Sequence, residues 1–331
     1  MITVITTIAH PTDSVKELSK KTENTNGIIV IGDKKGPFSY PIPNTQFYSL
    51  EDQLKLNFNL SSKLPTGHYS RKNLGYLLAI QQGEDCIYET DDDNQPNEFW
   101  TIRSKKTNVL VADKSTWVNV YKHFSKENIW PRGFLLDRIT NSGSTPAHTN
   151  KLIEIEAPIQ QGLADNSPDV DAVWRLTQDH EFYFERNESI ALQAGTWCPF
   201  NTQSTWWWRE AFPLLYLPSY CSFRMTDIWK SFVAQRCLWD MDYQLVFHSA
   251  EVNQERNIHN LMKDFDAEIS GYLQNEKLTT VLEKTKLLSG KENALRNLVV
   301  SYENLIQHEI FPKQEMELVK AWAEDIERII P

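Results

Sequence analysis

No apolar run in this 331-residue chain approaches the roughly 20 residues that a membrane-spanning helix requires. The opening MITVITTIAHPT has no basic region followed by an apolar one, so no secretory leader is expected. Basic charge is in deficit: 34 Lys and Arg stand against 44 Asp and Glu, a net charge of −10. That balance argues against a nucleic-acid-binding surface, which needs a basic patch to neutralise phosphates. Cysteine is scarce, and Cys86, Cys198, Cys221 and Cys237 form no C-x-x-C pair, which argues against a zinc site or a disulfide framework and leaves buried thiols. The sequons at Asn59 and Asn187 carry no weight without a leader. The expectation is a soluble, cytoplasmic chain, and its 40% hydrophobic and 11% aromatic content suffices for a large core.

Ile87 to Pro96, IYETDDDNQP, is the most informative stretch. Ile87 and Tyr88 suit a half-buried strand, whereas Asp91, Asp92, Asp93, Asn94 and Pro96 end one and begin a turn. The carboxylates therefore project from the carboxyl end of a strand, the edge where open α/β sheets bind ligands. Mg²⁺ or Mn²⁺ held there by one or two carboxylates can complete its shell with substrate phosphate oxygens. Solvated acidic turns are common, and Asx capping remains open for one of the three, but the strand context favours a metal-bridged nucleotide-sugar site. An EF-hand is excluded, because Pro96 and Ile102 stand where its Gly and Glu are needed.

Around this turn the order of elements is legible. MITVITTI and GIIVIGD flank a polar amphipathic stretch from Pro11 to Asn26, an opening βαβ unit that leaves Asp33 at a strand end, where a base or ribose lodges. RKNLGYLLAIQQ places Leu74, Leu77, Leu78 and Gln81 on one helical face, with Gly83 as a stop. Arg71, Lys72 and Asn73 at its start are candidates for an anionic phosphate, with solvent-exposed solubilising residues as the bland alternative.

Farther on, a weak strand is expected at Asn108 to Ala112, and the polar loop Thr140 to Asn150 reads as a lid or an insertion. IEIEAPIQQGLADNSPDVDAVWRLT reads as a strand, a Gly- and Pro-containing loop and a helix start, with Asp169 and Asp171 as caps rather than a second metal site. Trp206, Trp207 and Trp208, placed on a helix, are expected to serve mostly core or interface packing, while Asn201 and Gln203 are candidates for polar substrate contacts. Thr226 and Asp227 begin an amphipathic helix, in whose first turn a carboxylate stays ionised and suits a base for an acceptor hydroxyl, although plain capping fits equally. Beyond about residue 262 the Lys-, Glu- and Leu-rich chain reads as a helical appendage, a candidate for packing on the rest or for a homo-oligomer interface.

RKNLGYLLAIQQG, IYETDDDNQP, the NTQSTWWWREAF region, FRMTDIWKSFVAQRCLWDM and RNIHNLMKDFDAEI together resemble the STELLO glycosyltransferase-like family, over roughly residues 27 to 270. The plant reversibly glycosylated polypeptides look like more distant relatives through their own Asp triplet. The resemblance implies an α/β, GT-A-like nucleotide-sugar-binding fold with a mixed central sheet, expected over 1–261 and followed by the helical appendage read from the residues over 262–331. It further implies a D-x-D element, here Asp91 and Asp93 with Asp92 between, that holds Mn²⁺ or Mg²⁺ on the donor diphosphate. Arg71 and Lys72 assist in this reading, Asp227 is the carried-over base, and His259, or His248, is a third metal ligand. The expected activity is metal-dependent transfer from a nucleoside-diphosphate sugar to a carbohydrate or glycoconjugate hydroxyl. The alternatives are a nucleotide-sugar mutase or self-glycosylating protein and a non-catalytic scaffold.

Overall fold

In the computed structural model residues 1–140, 145–255 and 260–330 are described. The chain opens with β1 (Ile2–Thr6), α1 (Asp13–Lys21) and β2 (Ile28–Ile31), and β1 and β2 pair in parallel, the expected βαβ unit. The Thr12 side chain accepts the Val15 amide at 3.2 Å and so satisfies one of the orphan donors that start α1. β3 (Thr45–Tyr48) adds in parallel to β2, and α2 (Leu50–Leu54) follows behind a Ser49–Asp52 capping box.

α3 (Lys72–Gln81) leads into β4 (Cys86–Thr90), which pairs in parallel with β1. Every residue of α3 from Lys72 to Ile80 is buried, so the single apolar face expected of it is an underestimate. The helix lies between the sheet and the C-terminal helices and needs apolar surface on both sides. A Cβ at Gly75 would stand 2.5 Å from Val4 Cγ1, so the absence of a side chain there lets α3 approach β1 closely.

The remaining strands are β5 (Asn94–Pro96), β6 (Lys106–Val111), β7 (Ile153–Glu156), β8 (Ile159–Asp165), β9 (Ile190–Leu192), β10 (Ser204–Trp208) and β11 (Leu245–Gln254). Among the described residues they complete one mixed sheet of eleven strands in the order β3-β2-β1-β4-β10-β8-β11-β9-β6-β7, with β5 pairing on β11. Two readings of the sequence are corrected here. IQQGLAD, expected as loop, is the central strand β8, buried throughout. Gln160 and Gln161 disguised it, and their amides are satisfied inside the protein: Gln160 Nε2 donates to the Ala157 carbonyl at 3.1 Å, and Gln161 Oε1 accepts the Asn201 amide at 2.8 Å. The three tryptophans lie on strand β10, not on a helix, so they alternate between the sheet's two faces, and all are buried.

α4 (Ala172–Thr177) begins behind Asp171, whose carboxylate accepts the Trp174 amide at 2.8 Å, while α5 (Thr226–Asp240) begins where expected. α6 (Leu261–Lys284), α7 (Ala294–Gln307) and α8 (Glu315–Ile329) close the chain. Leu278, Leu282, Leu298, Tyr302 and Leu305 of this region are buried in the same core cluster as Leu74 and Leu77 of α3 and Phe232 of α5. Among the described residues no helix is long and apolar enough to cross a membrane.

Candidate functional site

Strand direction decides which residues meet. β1, β2 and β4 are mutually parallel; β10 runs antiparallel to β4 and to β8; and β8 and β11 are parallel. The carboxyl ends of β1, β2, β4, β8 and β11 and the amino end of β10 therefore share one sheet edge. An open cavity of about 410 Å³ lies there, a size suited to a small-molecule ligand. Thr6, Thr7 and Asp33, the triplet Asp91, Asp92 and Asp93, and the group Arg132, Asp169, Arg224 and Asp227 all line it.

Each carboxylate of the triplet has a different set of neighbours. Asp91 Oδ1 accepts the Tyr69 hydroxyl at 2.6 Å and the buried Lys72 ammonium at 3.0 Å. Lys72 also donates to the Tyr69 oxygen at 2.9 Å and to the Thr90 carbonyl at 2.7 Å, so it acts from beneath the cavity through Asp91. Asp92 accepts from the Thr7 hydroxyl, and its carbonyl accepts from Thr12 at the start of α1. Asp93 Oδ2 accepts Gln254 Nε2 at 3.1 Å; β5 pairing on β11 brings the two together, and Gln203 Nε2 in turn donates to Gln254 Oε1 at 2.6 Å. Burial, and then the charge of Asp91, push the Asp93 carboxyl up to about 7, and burial also raises Asp92. Crowded carboxylates so destabilised as anions are a charge deficit that a cation relieves.

A charge clamp also lines the cavity. The Arg132 guanidinium meets Asp169 through Nε and Nη2 at 2.7 and 2.9 Å, and Asp227 through Nη1 and Nη2 at 2.9 and 2.7 Å. Burial alone would raise the Asp169 carboxyl, but the charge and hydrogen bonds of Arg132, with the Arg224 charge and the Asn201 hydrogen bond added, together hold Asp169 below the usual range. Asn201 Nδ2 adds a bond to Asp169 Oδ2 at 2.8 Å and stays behind the wall, acting on Asp169 rather than reaching the cavity. Arg224 is anchored to Glu268 of α6 at 2.7 Å.

Of the residues expected at a site, Asp33, Asp91, Asp92, Asp93, Gln203 and Asp227 line one cavity. Asp33 spends its oxygens on the amides of Gly67 at 2.8 Å and His68 at 2.9 Å, which fixes the loop before α3. The placement of Arg71 and Asn73 near a diphosphate is corrected. Arg71 is fully buried, with Nε on Gln53 at 2.6 Å and Nη1 on the Leu64 carbonyl at 3.2 Å. Asn73 spans the Leu217 amide and carbonyl, each at 2.8 Å. His248 is corrected as well: burial keeps it neutral, with Nδ1 paired to Ser189 at 2.6 Å and Nε2 to Gln160 at 2.9 Å. His259 lies outside the described residues. Among those described, no three His, Cys, Asp or Glu side chains converge as a ready-made metal site.

Sequence reasoning missed Tyr69, Arg132, Phe223 and Gln254, and assigned Asp169 to a helix cap. The signal for Arg132 was available in IWPRGF, where one cation stands among apolar residues and must find an anion if buried.

The sequence model of the family described as STELLO glycosyltransferases matches residues 224–330. Two Arabidopsis thaliana proteins, each named a probable glycosyltransferase, STELLO2 and STELLO1, are 28% identical over 260 residues, covering 72% of this chain. The chain spans about a third of the length of these curated relatives, 33% in each case. A solved structure described as that of a mycobacterial protein aligns over 83% of this chain and 74% of its own, at a TM-score of 0.37 and 9% identity. The similarity read from the motifs thus extends across most of the chain, and what it is similar to is the family of STELLO glycosyltransferases.

Proposed function

We propose that the protein is a glycosyltransferase that uses a nucleoside-diphosphate sugar and a divalent cation. The observation that carries this reading is the placement of Asp91, Asp92 and Asp93 on the cavity at the carboxyl edge of the sheet, in a chain related to named probable glycosyltransferases. The donor set fits Mg²⁺ or Mn²⁺: it is all oxygen, and among the described residues no larger cluster of His, Cys, Asp or Glu converges, so the rest of the shell is left to phosphate oxygens. Asp91 and Asp93 would hold the ion, which when bound neutralises charge on the departing diphosphate.

The chain's own residues do the remaining work. Lys72 and Tyr69 fix the orientation of Asp91, and Gln254 fixes that of Asp93. Arg132 holds the Asp227 carboxylate in place through two hydrogen bonds, and Asp227 takes the proton from the acceptor hydroxyl as that oxygen attacks.

The test is thermal stabilisation by a panel of nucleoside diphosphates and their sugars with and without Mn²⁺. A ligand at 100 times its dissociation constant adds about 2.7 kcal/mol to the native state. One nucleotide is expected to stabilise in a Mn²⁺-dependent manner, and Asp93→Asn is expected to lose that response. Stabilisation of Asp93→Asn equal to wild type refutes the metal assignment.

A further inference from the structure

Phe223 lines the cavity yet is 59% exposed, a large apolar ring among carboxylates and guanidinium groups. It belongs to the 3-10 turn Phe223–Met225 immediately before α5, four positions ahead of Asp227. The turn is held on both sides: the Ser222 hydroxyl donates to the Ala267 carbonyl, and Arg224 Nε donates to Glu268 at 2.9 Å. The Phe223 ring meets Tyr69 at 6.0 Å between centroids and His68 at 6.2 Å, with interplanar angles of 74° and 73°. Neither neighbour stacks on it, so the ring is fixed in place and remains uncovered. Tyr69 is the residue bonded to Asp91, and Phe223 lines the same cavity as the Asp triplet and the Arg132–Asp227 clamp.

Such a ring beside dense hydrogen-bonding groups suits a saccharide. A pyranose presents a C–H face to an aromatic surface while its edge carries hydroxyls for carboxylates and guanidinium groups. A lipid chain would leave the surrounding charges desolvated and unpaired. His68 adds a donor of the right kind: its Nδ1 accepts the Ser70 amide at 3.1 Å, so the neutral ring carries its proton on Nε2, and burial keeps it neutral. Resting on the glycosyl-transfer reading, we infer that Phe223 is the stacking platform for the ring of a saccharide acceptor, and so a determinant of acceptor class.

The experiment is saturation-transfer NMR from the protein to methyl pyranosides of glucose, galactose, mannose and xylose, each with and without UDP and Mn²⁺. Wild type is expected to saturate the C–H protons of one ring face, Phe223→Ala to lose that signal by roughly fivefold or more, and Phe223→Trp to retain it. Circular dichroism and the thermal midpoint confirm that the variants are folded. No ring-face transfer in wild type under either condition, or equal transfer in folded Phe223→Ala, overturns the inference. Absence of nucleotide and metal binding counts against the glycosyl-transfer reading instead, and the pyranoside signal still decides the role of Phe223.

Discussion

Replacing Lys230 with Met isolates a buried charge directly behind the Asp triplet. Lys230 Nζ stands 2.8 and 2.9 Å from the two oxygens of Glu89, and both side chains are buried. Glu89 also accepts Trp207 Nε1 at 2.6 Å and the Tyr76 hydroxyl. Breaking one partner of a buried pair costs about 3–5 kcal/mol, because the remaining charge is uncompensated. The two neutral donors that stay on Glu89 offset part of this loss, so about 3 kcal/mol is expected. In a chain of this size that corresponds to a fall of roughly 4 °C in thermal midpoint. Replacing both residues, Glu89→Gln with Lys230→Met, removes the charges together and is expected to recover at least ~1.5 kcal/mol. Guanidinium unfolding of the two single variants and the double variant measures the coupling. A single Lys230→Met cost below ~1 kcal/mol, or a double variant as destabilised as the sum of the singles, would refute the reasoning.

Asp227→Asn is expected to keep Mn²⁺-dependent nucleotide stabilisation while lowering sugar transfer by about 10²–10⁴-fold, checked by binding and product assays on one preparation. Arg132→Ala is expected to cost about 3–5 kcal/mol by leaving Asp169 and Asp227 unpaired, and Arg132→Lys to recover only part, since an ammonium cannot reproduce four fork bonds; unfolding midpoints decide. Burial pushes the Asp171 carboxyl up to about 7 from 3.8. A group raised on folding contributes stability that is present below its unfolded pKa and lost as pH rises through the folded one. Wild type should therefore weaken relative to Asp171→Asn by up to ~1.4 kcal/mol per pH unit between pH 5 and 7, and a pH-independent difference in unfolding free energy would contradict this.

Local chemistry determined much by itself. The alternation and turn residues around IYETDDDNQP placed the triplet at a strand end, and periodicity located α3, α5 and the C-terminal helices. Central strand β8 escaped because burial on both faces erases alternation and because its glutamines are satisfied only by distant partners. Arg71 and Lys72 show the same limit at the site. Adjacent and alike in charge, they part company because the start of α3 turns one guanidinium into the core beside Gln53 and the other residue's ammonium under Asp91. The Arg132 clamp joins residues 37 and 95 positions apart, a distance no spacing rule spans. Sequence determined the carboxylates and the strand that presents them; the tertiary structure decided which cations reach them, because that depends on strand direction and on where each buried charge finds its partner.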